Sequence, residues 1–160
     1  MDIFFIFILL AVVLFVLSYI HKRRFGLLGL ALAAGSLLSG IWGYNAGLIA
    51  GGLGAPSGAV TTAIVLSVIV LLPAVILLFH GPTYHNLFGR VIGAGLFTIL
   101  ALAFLIEPLS HALMPQGAGA DAYNWLVDNR NYIIGFGLIA AVVDLFMTKP
   151  AHLSDKRHKH

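Results

Sequence analysis

Five apolar runs, at about residues 3–20, 25–44, 58–79, 87–106 and 132–147, constrain this chain more than anything else in it. Crossing the ~30 Å hydrocarbon core of a bilayer takes about 20 apolar residues in a helix, with a few fewer or more absorbed by thinning and tilt. Inside hydrocarbon every backbone N–H and C=O must be satisfied by the protein itself, and a helix does so within one segment. The pattern therefore predicts an all-α integral membrane protein, a bundle of five transmembrane helices. Composition agrees. Apolar residues make up 60% of the chain and charged residues 9%, against roughly 45–50% and 25% in soluble domains. With 160 residues and short connections, residues 1–148 read as one transmembrane helical domain and 149–160 as a basic tail.

The charges predict an orientation. Threading the chain through five spans places Lys22, Arg23, Arg24, Arg90, Lys149, Lys156, Arg157 and Lys159 on one side and only Arg130 on the other. Basic residues beside spans mark the cytoplasmic face, so the N-terminus is expected outside and the C-terminus in the cytoplasm. Asp2, Glu107, Asp121 and Asp128 then fall outside. A secretory signal carries its basic residues before a short apolar core. Here Asp2 precedes the first run and His21-Lys22-Arg23-Arg24 follows it, which predicts an uncleaved first span. The formal net charge of +3 reads as topology signal and as contact with anionic lipid head groups, not as a nucleic-acid surface.

Connections carry further expectations. Trp42 and Tyr44 suit the outer interface, and 45–57, rich in Gly and Ala, reads as a loop or shallow re-entrant stretch. Pro73 predicts a tolerated kink in the third span. His80-Gly81-Pro82 is the expected inner turn. In the outer 107–131 connection, Pro115, Gly117 and Gly119 mark a flexible stretch. Asp121 stands where an N-cap would, ahead of a short helix over 122–127. Tyr123 and Trp125 would place that helix on the membrane surface, as an anchor or as a surface for an envelope partner.

Small residues form a second pattern. Ala31, Gly35, Ser39, Gly43, Gly47 and Gly51 stand four apart along the second span and its extension; Gly89 and Gly93 open the fourth, and Gly135 lies in the fifth. Lipid tails are as apolar as leucine, so membrane helices associate through close packing at such residues. Gly35, Ser39, Gly43, Gly47, Gly89 and Gly93 are therefore the expected packing positions. Span 2 would be the packing hub of the bundle or the seam of a homo-oligomer.

Arg90 and Asp144 are the ionisable residues inside the spans. Counted along their helices at 1.5 Å per residue, Arg90 lies roughly 25 Å and Asp144 roughly 20 Å below the outer face. Intramembrane charges are costly and are usually paired or face water. Three arrangements fit: an Arg90–Asp144 ion pair, Arg90 snorkelling to the interface while Asp144 meets Lys149, or a proton-handling Asp144.

Signatures of catalysis are missing from the sequence. It contains no HExxH, GxSxG or GxxxxGK[ST] motif, and a Ser57–His111 dyad is the nearest approach to a nucleophile and base. With no cysteine, thiolate metal sites and disulfides are excluded. His21, His80, His85, His152, His158 and His160 all fall on the inner side without helical ligand spacing, so no metal or other cofactor is expected.

Two segments resemble the colicin V production protein family, small four-span proteins of the bacterial inner membrane. One is Lys22-Arg23-Arg24-Phe25-Gly26-Leu27-Leu28 leading into span 2. The other is Asn86-Leu87-Phe88-Gly89-Arg90-Val91-Ile92-Gly93-Ala94-Gly95 opening span 4. The resemblance covers about residues 1–106; His85 stands where the family has an acidic residue, and span 5 is additional. It implies a plasma-membrane protein of a bacterium with an envelope-related or secretion-supporting role and no catalytic residues. The residues and the resemblance together predict a non-enzymatic structural or adaptor component whose partners are membrane lipids and an envelope protein or a second copy. The alternative is a small transporter or channel component using Asp144 and Arg90 in a polar path.

Overall fold

A computed structural model describes residues 3–52, 54–56, 58–79, 87–110, 112 and 120–147. The expected basic tail, with Lys149, Lys156, Arg157 and Lys159, lies outside the described residues. So do the inner turn at 80–82 and both members of the Ser57–His111 dyad.

The described chain is helical, with six α-helices: α1 (Ile3–His21), α2 (Phe25–Trp42), α3 (Ala46–Gly52), α4 (Ala59–Phe79), α5 (Leu87–Ser110) and α6 (Ala120–Phe146). Four stretches are long and apolar enough to cross a membrane: α2 with its extension through α3, then α4, α5 and α6. Helix α1 is an apolar helix of 19 residues. Large apolar side chains are exposed around the bundle, among them Leu37, Ile41, Phe88, Phe136 and Phe146. Monomeric soluble proteins rarely expose apolar patches beyond a few hundred Å², so this surface fits solvation by lipid. The fold is that of a multi-pass membrane bundle.

Local chemistry sets the breaks. Lys22 leaves α1 with φ 55, the left-handed conformation that commonly ends helices. After α2 the chain tightens into a 3₁₀ turn, Gly43–Asn45, and resumes as α3. A Schellman motif ends α3. Ala55 N–H donates to the Ala50 carbonyl and Gly54 N–H to that of Gly51, each at 3.0 Å, with Gly54 at φ 76. Glycine tolerates that φ without steric penalty. Residues 45–57 thus contain a seven-residue helix packed on α4, with Ala46 and Ala50 buried, where a loop or re-entrant stretch is expected from composition.

The outer connection also differs from expectation. No separate interfacial helix stands at 122–127; those residues are the first turns of the 27-residue α6. Asp128-Asn129-Arg130-Asn131 is polar but holds no Gly or Pro to break the helix, and the Asn129 amide donates to the Trp125 carbonyl at 2.8 Å. At 1.5 Å per residue α6 is about 40 Å long, longer than the hydrocarbon core. Helix α5 likewise runs on past 106, through Glu107 and Pro108, to Ser110.

Helix α5 touches each of α1, α2, α4 and α6. Its apolar stretch is 56% buried, against 44% for α2, 28% for α4 and 6% for α6. It shares the hub position expected of span 2. Helix α2 makes the most extensive single pairing, with α4, and α1 packs on α5. Phe25, Leu28, Leu32, Val70, Phe97, Leu100 and Leu105 fill the centre.

Candidate functional site

Most charged side chains among the described residues lie at or near helix ends, while Asp128 and Arg130 lie within α6. A helix leaves about four N–H groups unsatisfied at its start and four carbonyls at its finish. The aligned peptide dipoles add roughly half a positive and half a negative charge there. At the end holding residues 21–25, these groups are met by side chains from other parts of the chain. Arg23 donates from Nε to the Leu78 carbonyl at 2.8 Å and from Nη2 to the Phe79 carbonyl at 2.7 Å, capping the finish of α4. Arg90 donates to the Tyr19 carbonyl at 3.1 Å near the finish of α1, and its guanidinium lies 4.5 Å from the Tyr19 ring centroid. Asp144, near the end of α6, accepts the Gly26 N–H at 2.9 Å at the start of α2. Its other oxygen lies 3.4 Å from Arg24 Nη2. Cations meet helix finishes and the anion meets a helix start, the favourable sense in each case.

Two expectations are corrected here. Asp144 pairs with Arg24 rather than with Arg90, and Arg90 binds the end of α1. Position along consecutive spans does not decide which charges meet, because helix ends compete for them. Asp144 also sits level with the second residue of α2, so it belongs to the rim of the bundle rather than its middle. The sequence shows only that the start of α2 lacks a local cap, not which group would supply one. Residues 22–24 offer no Ser, Thr, Asp or Asn to cap α2, and Arg24, at the N-cap position, makes no side-chain capping bond. In the fold, Asp144 supplies the acceptor.

Small residues at three α2 positions set how closely its neighbours approach. A Cβ on Gly26 would collide with the Ala141 carbonyl and lie 3.0 Å from Asp144 Oδ2; one on Gly29 would lie 2.9 Å from Ala141 Cβ. These two glycines let α6 come close enough for Asp144 to reach the Gly26 N–H. A Cβ on Gly35 would collide with the Val70 backbone on α4. On α6, a Cβ at Gly137 would lie 2.7 Å from Leu100. Along the expected ridge, Gly43 and Gly47 have open space where a Cβ would go, and so does Gly135. The ridge meets the α4 backbone at Gly35, whereas at Gly43, where the chain enters the 3₁₀ turn, it borders a cleft instead of a helix backbone. Ser39 is half-buried, Gly93 is buried in α5, and Gly89 is half-buried near its start. Gly26, Gly29 and Gly137 are contacts that the four-residue pattern missed.

The opposite end carries a second polar group. Arg130 of α6 is paired with Glu107 of α5, and the Phe7 and Tyr123 rings meet edge to face at 5.5 Å. Beside Glu107, a cleft of about 220 Å³ opens between α2, α4 and α5. Ser36, Ser39 and Gly43 line one wall, Thr62 and Leu66 another, and Phe104, Glu107 and Pro108 the third.

Among the described residues no group of three or more His, Asp or Glu is placed to hold a metal ion. The basic end is a set of electrostatic staples, and the cleft at the other end is a concave feature that combines an apolar lining with a few polar side chains. No family model matches the chain, and no curated protein or solved structure matches it.

Proposed function

We propose that this chain is a small non-enzymatic multi-pass protein of the bacterial plasma membrane, acting as a structural or adaptor component of an envelope or secretion-supporting process. The observation that carries this reading is the engagement of Asp144 and Arg90 at helix ends. A transport path needs ionisable groups facing water or substrate within the membrane, and these two charges hold α2, α6, α1 and α5 together. The resemblance of residues 1–106 to the colicin V production protein family supports the compartment and the process. The one-sided basic residues support an N-terminus outside and a C-terminus in the cytoplasm. With Arg23, Arg24 and Arg90 committed to helix ends or to Asp144, the exposed Lys22 meets anionic lipid on that face, as does the basic 149–160 tail expected from the sequence. The exposed face of Trp125 and the tail are the surfaces for a protein partner.

The test has two arms. In proteoliposomes carrying a pH-sensitive dye and a potassium diffusion potential, the adaptor reading expects proton flux no faster than in protein-free vesicles. Flux that disappears in Asp144→Asn would replace the reading with the transporter alternative. In intact cells, Ser57→Cys and Gln116→Cys should react with a membrane-impermeant thiol reagent and Ser154→Cys only after lysis. Labelling of position 154 in intact cells would reverse the orientation.

A further inference from the structure

We propose that the cleft between α2, α4 and α5 binds a protonated amine, with the Glu107 carboxylate as its counter-ion. The lining carries the Ser36, Ser39 and Thr62 hydroxyls and the Glu107 carboxylate among apolar neighbours, and it contains no Lys, Arg or His. Among the described residues, the Ser36 and Ser39 hydroxyls make no hydrogen bond, although a helical serine readily bonds the carbonyl a turn behind it. Thr62 does bond back, to the Gly58 carbonyl at 3.1 Å. Pro108 has no N–H, so the carbonyl of Phe104, four residues earlier, loses its helical partner; both residues line the cleft. Glu107 gives Oε2 to Arg130, while Oε1 has no partner among the described residues. The finishing turns of α5 add negative dipole density at the same place. A ligand that matches this wall donates several hydrogen bonds and carries positive charge, as an alkylammonium does.

Size and position narrow the class. At about 220 Å³ the cleft is smaller than the roughly 300–1,000 Å³ of drug-sized sites and suits a head group. Leu66, Val70 and Phe104 give it an apolar floor that favours an alkyl-bearing amine over a bare metal cation. Gly43 on its wall lies between Trp42 and Tyr44, both exposed, and such rings settle at the head-group level of a bilayer. A primary amine reaches that level from two sources, the head group of an ethanolamine phospholipid or a free soluble amine. Arg130 is the built-in competitor for the same carboxylate.

The experiment uses the full chain in nanodiscs of phosphatidylglycerol, alone, with phosphatidylethanolamine, or with soluble ethanolamine added. Thermal unfolding and native mass spectrometry are read together. The wild type should unfold several degrees higher and retain amine lipid in the lipid arm if the source is lipid, or shift with soluble ethanolamine if it is not. Glu107→Gln, a near-isosteric change at the exposed rim, should remove the shift and lower retention at least tenfold. Gly43→Leu, placed where a Cβ meets open space, should keep the fold and also remove retention by filling the cleft. Arg130→Gln frees the carboxylate and should raise apparent amine affinity about three- to tenfold; a purely structural ion pair would not. No shift in either arm, an equal shift in Glu107→Gln, or a shift from sodium ions at matched ionic strength without one from amine would each overturn the proposal.

Discussion

The Asp144 carboxylate reaches from the last turns of α6 to accept the Gly26 N–H at 2.9 Å, in the first turn of α2. The contact exists because position 26 has no side chain: a Cβ there would collide with the Ala141 carbonyl of α6. One glycine thus provides both the close approach of two helices and the room for a charged cap. Arg24 completes the arrangement from the same turn.

Removing that cap should be costly. Hydrogen bonds to charged groups contribute about 1.5–3 kcal/mol, so Asp144→Ala should destabilise the detergent-solubilised protein by about that amount. Asp144→Asn keeps an acceptor oxygen and should lose about half as much. Equilibrium unfolding of both variants in one detergent measures the difference. Equal losses would mean that the charge supplies the whole contribution, and no loss in Asp144→Asn would mean that it supplies none.

Double-mutant cycles distinguish the observed pairing from the one expected along consecutive spans. Arg24→Leu and Asp144→Leu share a contact and should couple by about 1 kcal/mol, because replacing both partners removes two desolvation penalties. Arg90→Leu and Asp144→Leu share no partner and should add within about 0.5 kcal/mol. Strong coupling in the second cycle and none in the first would restore the Arg90–Asp144 pair.

Packing around α2 should be sharply position-dependent. Gly35→Ala pushes a Cβ into the Val70 backbone, which cannot give way as a side-chain tip can. The expected loss is about 1–3 kcal/mol, typical of overpacking. Gly47→Leu, with open space around its Cβ position, should stay within about 0.5 kcal/mol of the parent. Melting temperatures of the two variants in the same detergent provide the comparison.

Ser18 offers a change in the stabilising direction. Its side chain is 2% exposed, and its hydroxyl has no hydrogen-bond partner among the described residues. Ser18→Ala removes an unsatisfied buried group and should stabilise the bundle by about 1 kcal/mol. A loss of stability would mean that the hydroxyl is bonded within the membrane.

Much of the architecture was legible in the sequence because bilayer thickness imposes a length on every apolar run. The runs at 3–20, 25–44, 58–79 and 87–106 correspond closely to α1, α2, α4 and α5, and 132–147 to the second half of α6. Apolar length, however, marks what hydrocarbon covers and not where helical hydrogen bonding stops. Hence the polar turns 120–131 belong to α6 although nothing apolar marks them, and 46–52 form α3 although composition suggested a loop. The partners of the charges were decided by tertiary structure alone. Arg23, Arg90 and Asp144 are each bound to a backbone group of another helix, and backbone groups carry no sequence signature. Glycine spacing identified residues able to allow close approach, but crossing geometry selected Gly26, Gly29 and Gly35 and left Gly43 and Gly47 open. Burial in lipid is a one-dimensional property of each segment; which helix end lies beside which charge depends on how all the segments cross.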